Sequence, residues 1–219
     1  MSFYDVAHGP VNLYMHLAFR IRYQGQENIP KSGGYLMVCN HRSAYDPLFL
    51  VTGVRPKICF MAKEELVRIP VLGPILKALG VFGVRRGKGD TSAVDAAVDL
   101  VKGGSIVGIF PEGTRAPVGT TLRPKSGAAH IAHMCHADVL PCCVSFQGKL
   151  RFRKTVTVCF GRLIPYDALG LEAEGTAGLR SATRVIWNEN VLPLLQGVEG
   201  VVPQLASPHA AALPPADHS

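Results

Sequence analysis

The chain predicts an α/β fold, a mostly parallel central sheet flanked by helices, with an amphipathic helix in its N-terminal segment. Three observations predict it. Short unbroken apolar runs, such as Tyr35-Leu36-Met37-Val38-Cys39 and Ile106-Val107-Gly108-Ile109-Phe110, have the pattern of strands covered on both faces, as in parallel sheets. Segments with helical apolar spacing alternate with these runs. The 219 residues are 47% hydrophobic and 18% charged, enough to bury one substantial core.

Residues 10–22 read as the first helix, with Pro10 suited to its first turn. Asn12, His16 and Arg20 draw a polar stripe, while Leu13, Tyr14, Met15, Leu17, Ala18, Phe19 and Ile21 cover the rest. Such a segment spans roughly 18 Å, too short for a bilayer. It reads equally as a helix in a membrane interface and as one packed on the domain. Residues 35–39 form a strand that ends at Asn40-His41, and Asp46-Pro47 opens a short helix through Val51. Strands follow at 57–62 and 81–84. Asp90 caps a helix whose Val94, Ala97, Val98 and Val101 share a face. Gly103-Gly104 ends that helix, and the strand at 105–110 runs into Pro111-Glu112-Gly113-Thr114. A helix at 126–136, a strand at 139–146, an edge strand at 155–160 and a closing helix at 179–195 complete the fold. The tail 196–219, rich in Ala, Pro and Gly, reads as disordered.

Composition excludes several classes. No run offers eighteen uninterrupted apolar residues, so no transmembrane helix is expected; the nearest, 66–84, is broken by Arg68, Pro70, Gly73, Pro74, Lys77 and Gly80. No signal peptide is expected either, because no basic stretch precedes an apolar core. A net charge of +7 favours an anionic membrane surface, nucleic acid or a phosphorylated substrate as partner. The basic residues carry no nucleic-acid-binding signature, and no nucleic-acid partner is expected. Six cysteines sit mostly in apolar strands, as reduced buried thiols do.

Two motifs fall at strand ends, where ligands collect in such folds. In the first, residues 40–46, His41 is suited to taking a proton at neutral pH if a partner holds its ring. Asp46 is that candidate partner. Five residues apart on one helix the two would point about 140° apart, so they meet only if His41 precedes the helix and Asp46 opens it. The alternative for Asp46 is a plain helix cap. In the second motif, residues 110–115, Glu112, Gly113, Thr114 and Arg115 form a turn offering backbone N–H groups and a guanidinium to a phosphate; an ordinary surface turn is the alternative. Arg85 and Arg86, after the strand at 81–84, make a second cationic turn, and Lys125 adds a third cation. His130, His133 and His136 lie three apart on a helix, but nothing demands a metal there. Cys142-Cys143 offers a minor alternative, a cysteine nucleophile near His41. Trp187 reads as a core anchor.

Over residues 35–146 the chain resembles the lysophosphatidic acid acyltransferases, within the wider glycerolipid acyltransferase family. The NHxxxxD block is matched by Asn40 to Asp46, the apolar strand ending in arginine by Phe82 to Arg86, and the FPEGTR block in full by Phe110 to Arg115. The proline-bearing strand is matched by Val139-Leu140-Pro141-Cys142-Cys143-Val144. Lys63-Glu64-Glu65-Leu66 and Ile69-Pro70-Val71-Leu72-Gly73 resemble the segment between the first two blocks. Two departures touch the acceptor contacts. Ala116-Pro117 stands where many relatives have Ser-Arg, with Arg123 as a possible substitute, and Pro124 replaces a usual phenylalanine.

The resemblance implies transfer of a fatty acyl group from a thioester, acyl-CoA or acyl-carrier protein, to the sn-2 hydroxyl of lysophosphatidic acid, with no cofactor. It makes His41 the general base, Asp46 its orienting partner, and Arg86, Glu112 and Arg115 organisers of the phosphate; the reading of the cationic turns adds Arg85, Gly113, Thr114 and Lys125 as substrate contacts. Periodicity and composition around the matched blocks divide the chain into a membrane-interface helix (1–24), an acyltransferase domain (25–195) and a disordered tail (196–219), and the protein is expected to be peripheral at the cytoplasmic face of the cell membrane. The alternatives are an acyltransferase for glycerol 3-phosphate or another lysophospholipid, and a non-catalytic module that binds anionic lipid. The apolar segment 66–84 reads either as a groove for the acyl chain or as core.

Overall fold

The computed structural model describes residues 3–70, 72–78, 80–84, 91–171, 175–200 and 204–205. The first helix, α1 (Phe3–Ala18), starts earlier and stops sooner than its periodicity predicts, and the next residues form a strand, β1 (Arg20–Gln24). Its alternation explains this: Arg20, Arg22 and Gln24 are exposed while Ile21 and Tyr23 are half-buried, a period of two that a helix would scramble. Residues 20–24 thus belong to the sheet and not to a separate N-terminal helix. The chain continues through β2 (Tyr35–Cys39), α2 (Asp46–Gly53), β3 (Ile58–Lys63), the short helices α3 (Glu64–Arg68) and α4 (Leu72–Ala78), and β4 (Val81–Val84). Helix α5 (Thr91–Lys102) leads to β5 (Ile106–Ile109), a two-residue strand β6 (Thr120–Thr121), α6 (Gly127–Cys135) and β7 (Val139–Ser145). Next come β8 (Thr155–Phe160), α7 (Gly175–Ile186), a π-helical turn at Trp187–Val191, α8 (Leu192–Glu199) and β9 (Gln204–Leu205). The cap expected at Asp90 lies outside the described residues.

Among the described residues, seven strands form one sheet in the order β1-β8-β7-β2-β5-β3-β4. From β7 to β4 every pairing is parallel, whereas β8 runs antiparallel to β7 and carries β1 parallel to itself. The strand at 155–160 is therefore interior; β1, which the helical reading of 10–22 conceals, takes the edge. Strand alternation divides the core. Tyr35, Met37, Phe60 and Leu140 face Met15 and Phe19 of the α1 region and Phe49 and Leu50 of α2. Leu36, Val38, Val107 and Val139 face α5, α6 and α7, with Trp187 and Val191 completing that layer.

The closing helical segment runs past residue 195 to Glu199, and Gln204–Leu205 pairs with Thr120–Thr121. The part of the expected disordered tail at 196–200 is thus ordered; residues 201–203 and 206–219 lie outside the described residues. In the segment 66–84, Val67 is buried and its Cγ2 lies 2.5 Å from where a Cβ on Gly83 would sit, so this part is core against β4.

Trp187 is 1% exposed, and its removal would leave a cavity under the closing helices. Trp187→Ala is expected to cost about 3–5 kcal/mol, read as a lower urea midpoint at unchanged slope. A cost below about 1 kcal/mol would show that Trp187 is no core anchor.

Candidate active site

The two motifs leave neighbouring strands. Strands β2 and β5 pair in parallel, so Asn40-His41 and Phe110-Pro111-Glu112 emerge side by side at their carboxyl ends. Asn40 is fully buried, and its side chain acts as an extra peptide group. Its Nδ2 donates to the Val144 carbonyl at 3.0 Å and its Oδ1 accepts the Val144 N–H at 2.8 Å. This extends the β2–β7 ladder by one residue and fixes where the chain turns to present His41.

His41 and Asp46 meet as the helix-entry geometry requires. Asp46 opens α2 and is fully buried. Its Oδ2 lies 2.9 Å from His41 Nδ1 and also accepts the N–H groups of Arg42 at 2.6 Å and Ser43 at 2.7 Å. A carboxylate only accepts, so Nδ1 carries a proton, and in the neutral ring the lone pair then lies on Nε2. The plain-cap reading of Asp46 is thus part of the truth, because one oxygen ties the loop and the imidazole together. The His41 side chain keeps 19% exposure, so its ring is neither sealed in the core nor loose in solvent.

Stacked rings hold the imidazole plane. His41 lies on Phe110 with centroids 4.3 Å apart, and Phe110 lies on Phe60 at 5.8 Å. Gly108 makes room for this stack, since a Cβ there would fall 2.1 Å from Phe60 Cε1. A glycine inside a strand here marks a close approach rather than a turn.

Glu112 departs from its expected place among the phosphate contacts. It is 4% exposed, and its carboxylate accepts the His41 N–H at 2.5 Å and the Leu122 N–H at 2.7 Å. Both oxygens are committed to the backbone, so the residue joins loops rather than meeting substrate. Burial pushes its carboxyl up to about 7, against the pull of the two N–H donors. The Ala116 N–H donates to the His41 carbonyl at 2.7 Å, a second tie between the motifs.

The remaining predicted contacts are distributed around this frame. Gly113 adopts φ 72°, and a Cβ there would approach Lys125 Nζ to 3.1 Å, so the glycine admits both the turn and the lysine. The Lys125 N–H donates to the Pro111 carbonyl at 2.8 Å. Thr114 and Arg115 are exposed on the same turn. Arg85 and Arg86 lie outside the described residues.

One contact had no signal in the sequence. Arg42, inside the first motif, forms a buried ion pair with Glu199 at the end of α8, and Ser145 Oγ donates to the same carboxylate at 2.7 Å. The Arg42 guanidinium lies 5.7 Å above the Phe146 ring. The other candidates play no part near His41. The His133 ring bonds the Tyr166 hydroxyl at 3.2 Å, and His136 packs on Tyr166. Cys142 is fully buried and its thiol is pushed up by that burial, while the hydrogen bond with Cys159 and burial raise Cys143. Neither is a ready thiolate nucleophile.

The acyltransferase family model matches residues 20–145, from β1 to the end of β7. A 1-acyl-sn-glycerol-3-phosphate acyltransferase of Bacillus subtilis (strain 168) is 33% identical over 146 residues, 66% of this chain and 71% of that protein. Its counterpart in Borreliella burgdorferi is 34% identical over 119 residues, 53% of this chain and 48% of that one. The alpha form of Homo sapiens is 31% identical over 153 residues, 67% of this chain and 54% of the human protein. The chain thus spans about half the length of the latter two. The crystal structure of the 1-acyl-sn-glycerophosphate (LPA) acyltransferase, PlsC, from Thermotoga maritima matches with a TM-score of 0.69 at 24% identity, over 93% of this chain and 81% of that one. That likeness is one of fold.

Because Glu112 holds its proton more tightly folded (about 7) than at its ordinary 4.5, its contribution to stability is fully present below 4.5 and is lost as pH rises through 7. The unfolding free energy of the wild type minus that of Glu112→Gln should fall by roughly 2–3 kcal/mol from pH 4.5 to 8 and then level off. A difference that rises with pH would contradict the assignment.

Proposed function

This chain belongs to the acyltransferase family, and on that footing we propose that it transfers a fatty acyl group from an acyl thioester to the sn-2 hydroxyl of 1-acyl-sn-glycerol-3-phosphate. The product is phosphatidic acid, and the step is one of phospholipid biosynthesis. The observation that carries the chemistry is the His41 ring held by Asp46 through Nδ1 at 2.9 Å, a contact that in the neutral ring leaves the lone pair on Nε2.

In this reading Nε2 takes the proton of the acceptor hydroxyl as its oxygen attacks the thioester carbonyl. The C–O bond forms while the C=O electrons move onto oxygen. Asp46 steadies the imidazolium. The tetrahedral intermediate then collapses, the C–S bond breaks, and the departing thiolate takes up the proton. No acyl-enzyme and no cofactor are needed, because a thioester is already a good electrophile and activating the alcohol is the main task. The donor is acyl-CoA or acyl-carrier protein. Lys125, Thr114 and Arg115, on loops tied to the His41 backbone, are suited to receive the acceptor phosphate, with Arg85 and Arg86 assigned beside them from the sequence. Glu112 contributes by fixing the distance between these loops and His41.

We place the enzyme at the cytoplasmic face of the cell membrane as a peripheral protein. Its proposed acceptor is a lipid, and its net charge of +7 suits an anionic membrane surface.

His41→Ala should reduce phosphatidic acid formation by at least a factor of about 10³, in line with the loss of a general base and its positioning. Asp46→Asn, which removes the negative charge that steadies the imidazolium, should lower kcat by about 10²-fold or more. Mass spectrometry of the lipid product, with lysophosphatidic acid and each donor in turn, reads both. Unimpaired transfer by His41→Ala would remove the base assignment. Transfer to glycerol 3-phosphate in place of lysophosphatidic acid would establish the alternative acceptor.

A further inference from the structure

The loop between β7 and β8 has features that neither packing nor the chemistry at His41 explains. At its tip, Phe152 is 78% exposed. The Lys154 N–H closes a turn on the Arg151 carbonyl at 3.1 Å, with Arg153 at φ 59°, a left-handed conformation that a non-glycine residue adopts at some cost. The turn is pinned rather than floppy. The Arg153 N–H donates to the Ala18 carbonyl at 2.6 Å, its Nη1 to the Leu17 carbonyl at 3.3 Å, and the Arg20 N–H to the Lys154 carbonyl at 2.9 Å. Arg153 thereby caps the last carbonyls of α1, where a cation also suits the helix dipole.

These bonds set Phe152 beside an apolar stripe that α1 turns outward. Leu13, Tyr14 and Leu17 are 64%, 52% and 59% exposed, spaced as one helix face, while Met15 and Ala18 face the core. Cations rim the ridge: Arg20, Lys149, Arg151 and Arg153 are all exposed. Neither residues 8–26 nor residues 139–166 contain a single Asp or Glu.

Topology gives the ridge its orientation. Because β8 runs antiparallel to β7, their loop and the start of β1 lie at the sheet edge from which His41 emerges. The Phe19 ring meets Tyr45, next to Asp46, with centroids 5.4 Å apart. We propose that the 147–154 loop and the outward stripe of α1 form one docking surface for an anionic lipid bilayer, with Phe152 entering the interface and the surrounding cations meeting headgroups. Apolar side chains ringed by cations without acids suit an anionic bilayer better than a neutral one. This rests on the lipid-acceptor reading above and names the surface through which the enzyme reaches its acceptor.

The test is co-sedimentation of the full chain with vesicles of phosphatidylcholine containing phosphatidylglycerol, alongside pure phosphatidylcholine. Wild type is expected to bind the anionic vesicles, weakening with salt. Phe152→Asp and, separately, Leu17→Gln are expected to bind at least fivefold more weakly. Transfer to a short-chain lysophosphatidic acid dissolved as monomer should be unchanged in Phe152→Asp, which shows that the variant is folded. His41→Ala should bind vesicles like wild type, so loss of transferase activity and loss of docking are read separately. Equal binding of wild type and both variants, equal binding to neutral vesicles, or full displacement by inorganic phosphate would each overturn the surface. A dimer in solution that Phe152→Asp converts to monomer would overturn it in favour of a second copy of the chain.

Discussion

The structure depends on one buried carboxylate spanning two loops. Glu112 leaves β5 and accepts backbone N–H groups from His41, at the end of β2, and from Leu122, ten residues further along its own chain. Parallel strands deliver their carboxyl ends to one edge, yet the loops beyond them have no ladder to hold them. A side chain with two acceptor oxygens supplies what the sheet no longer can. Its burial carries a desolvation cost, seen in a carboxyl pushed up to about 7. Two short N–H contacts offset part of that cost and fix the His41 loop against the cationic turn.

Within this frame each restraint on His41 has its own source. Asn40 pairs with Val144 as though the strand continued. Asp46 fixes the tautomer while gathering two more N–H groups of the loop. Phe110 and Phe60 set the ring plane, and Gly108 leaves space for them. From the far end of the chain, Glu199 neutralises Arg42 where the guanidinium has almost no water. An imidazole positioned by the backbone, a carboxylate and an aromatic stack has little conformational freedom left to lose, the condition that the proposed proton transfer requires.

Much of this was legible in the sequence where local pattern and final environment agree. β2, β5 and β7 are continuous apolar runs because both faces are covered. The pairing of His41 with Asp46 follows from placing one before a helix and the other at its start. What escaped did so for physical reasons. β1 alternates polar and apolar residues over only five positions, and the four-residue recurrence of Asn12, His16 and Arg20 masks the switch; the helix stops at Ala18 because Arg153, far away in sequence, caps it. β8 reads as an edge only while β1 is taken for helix. Glu112 looks like a ligand because an acid beside an arginine on a turn is usually exposed, and burial cannot be read from the turn alone. The Arg42–Glu199 pair spans most of the chain, and Glu199 sits in a stretch whose composition suggests disorder.

All of the proposed chemistry requires the lone pair of neutral His41 to reside on Nε2. Nitrogen NMR of histidine-labelled protein, with His41→Gln to assign the resonance, reads that tautomer directly. A protonated Nδ1 and a bare Nε2 are expected, with the pattern lost in Asp46→Asn. A neutral ring protonated on Nε2 would leave no base facing the acceptor and would contradict it.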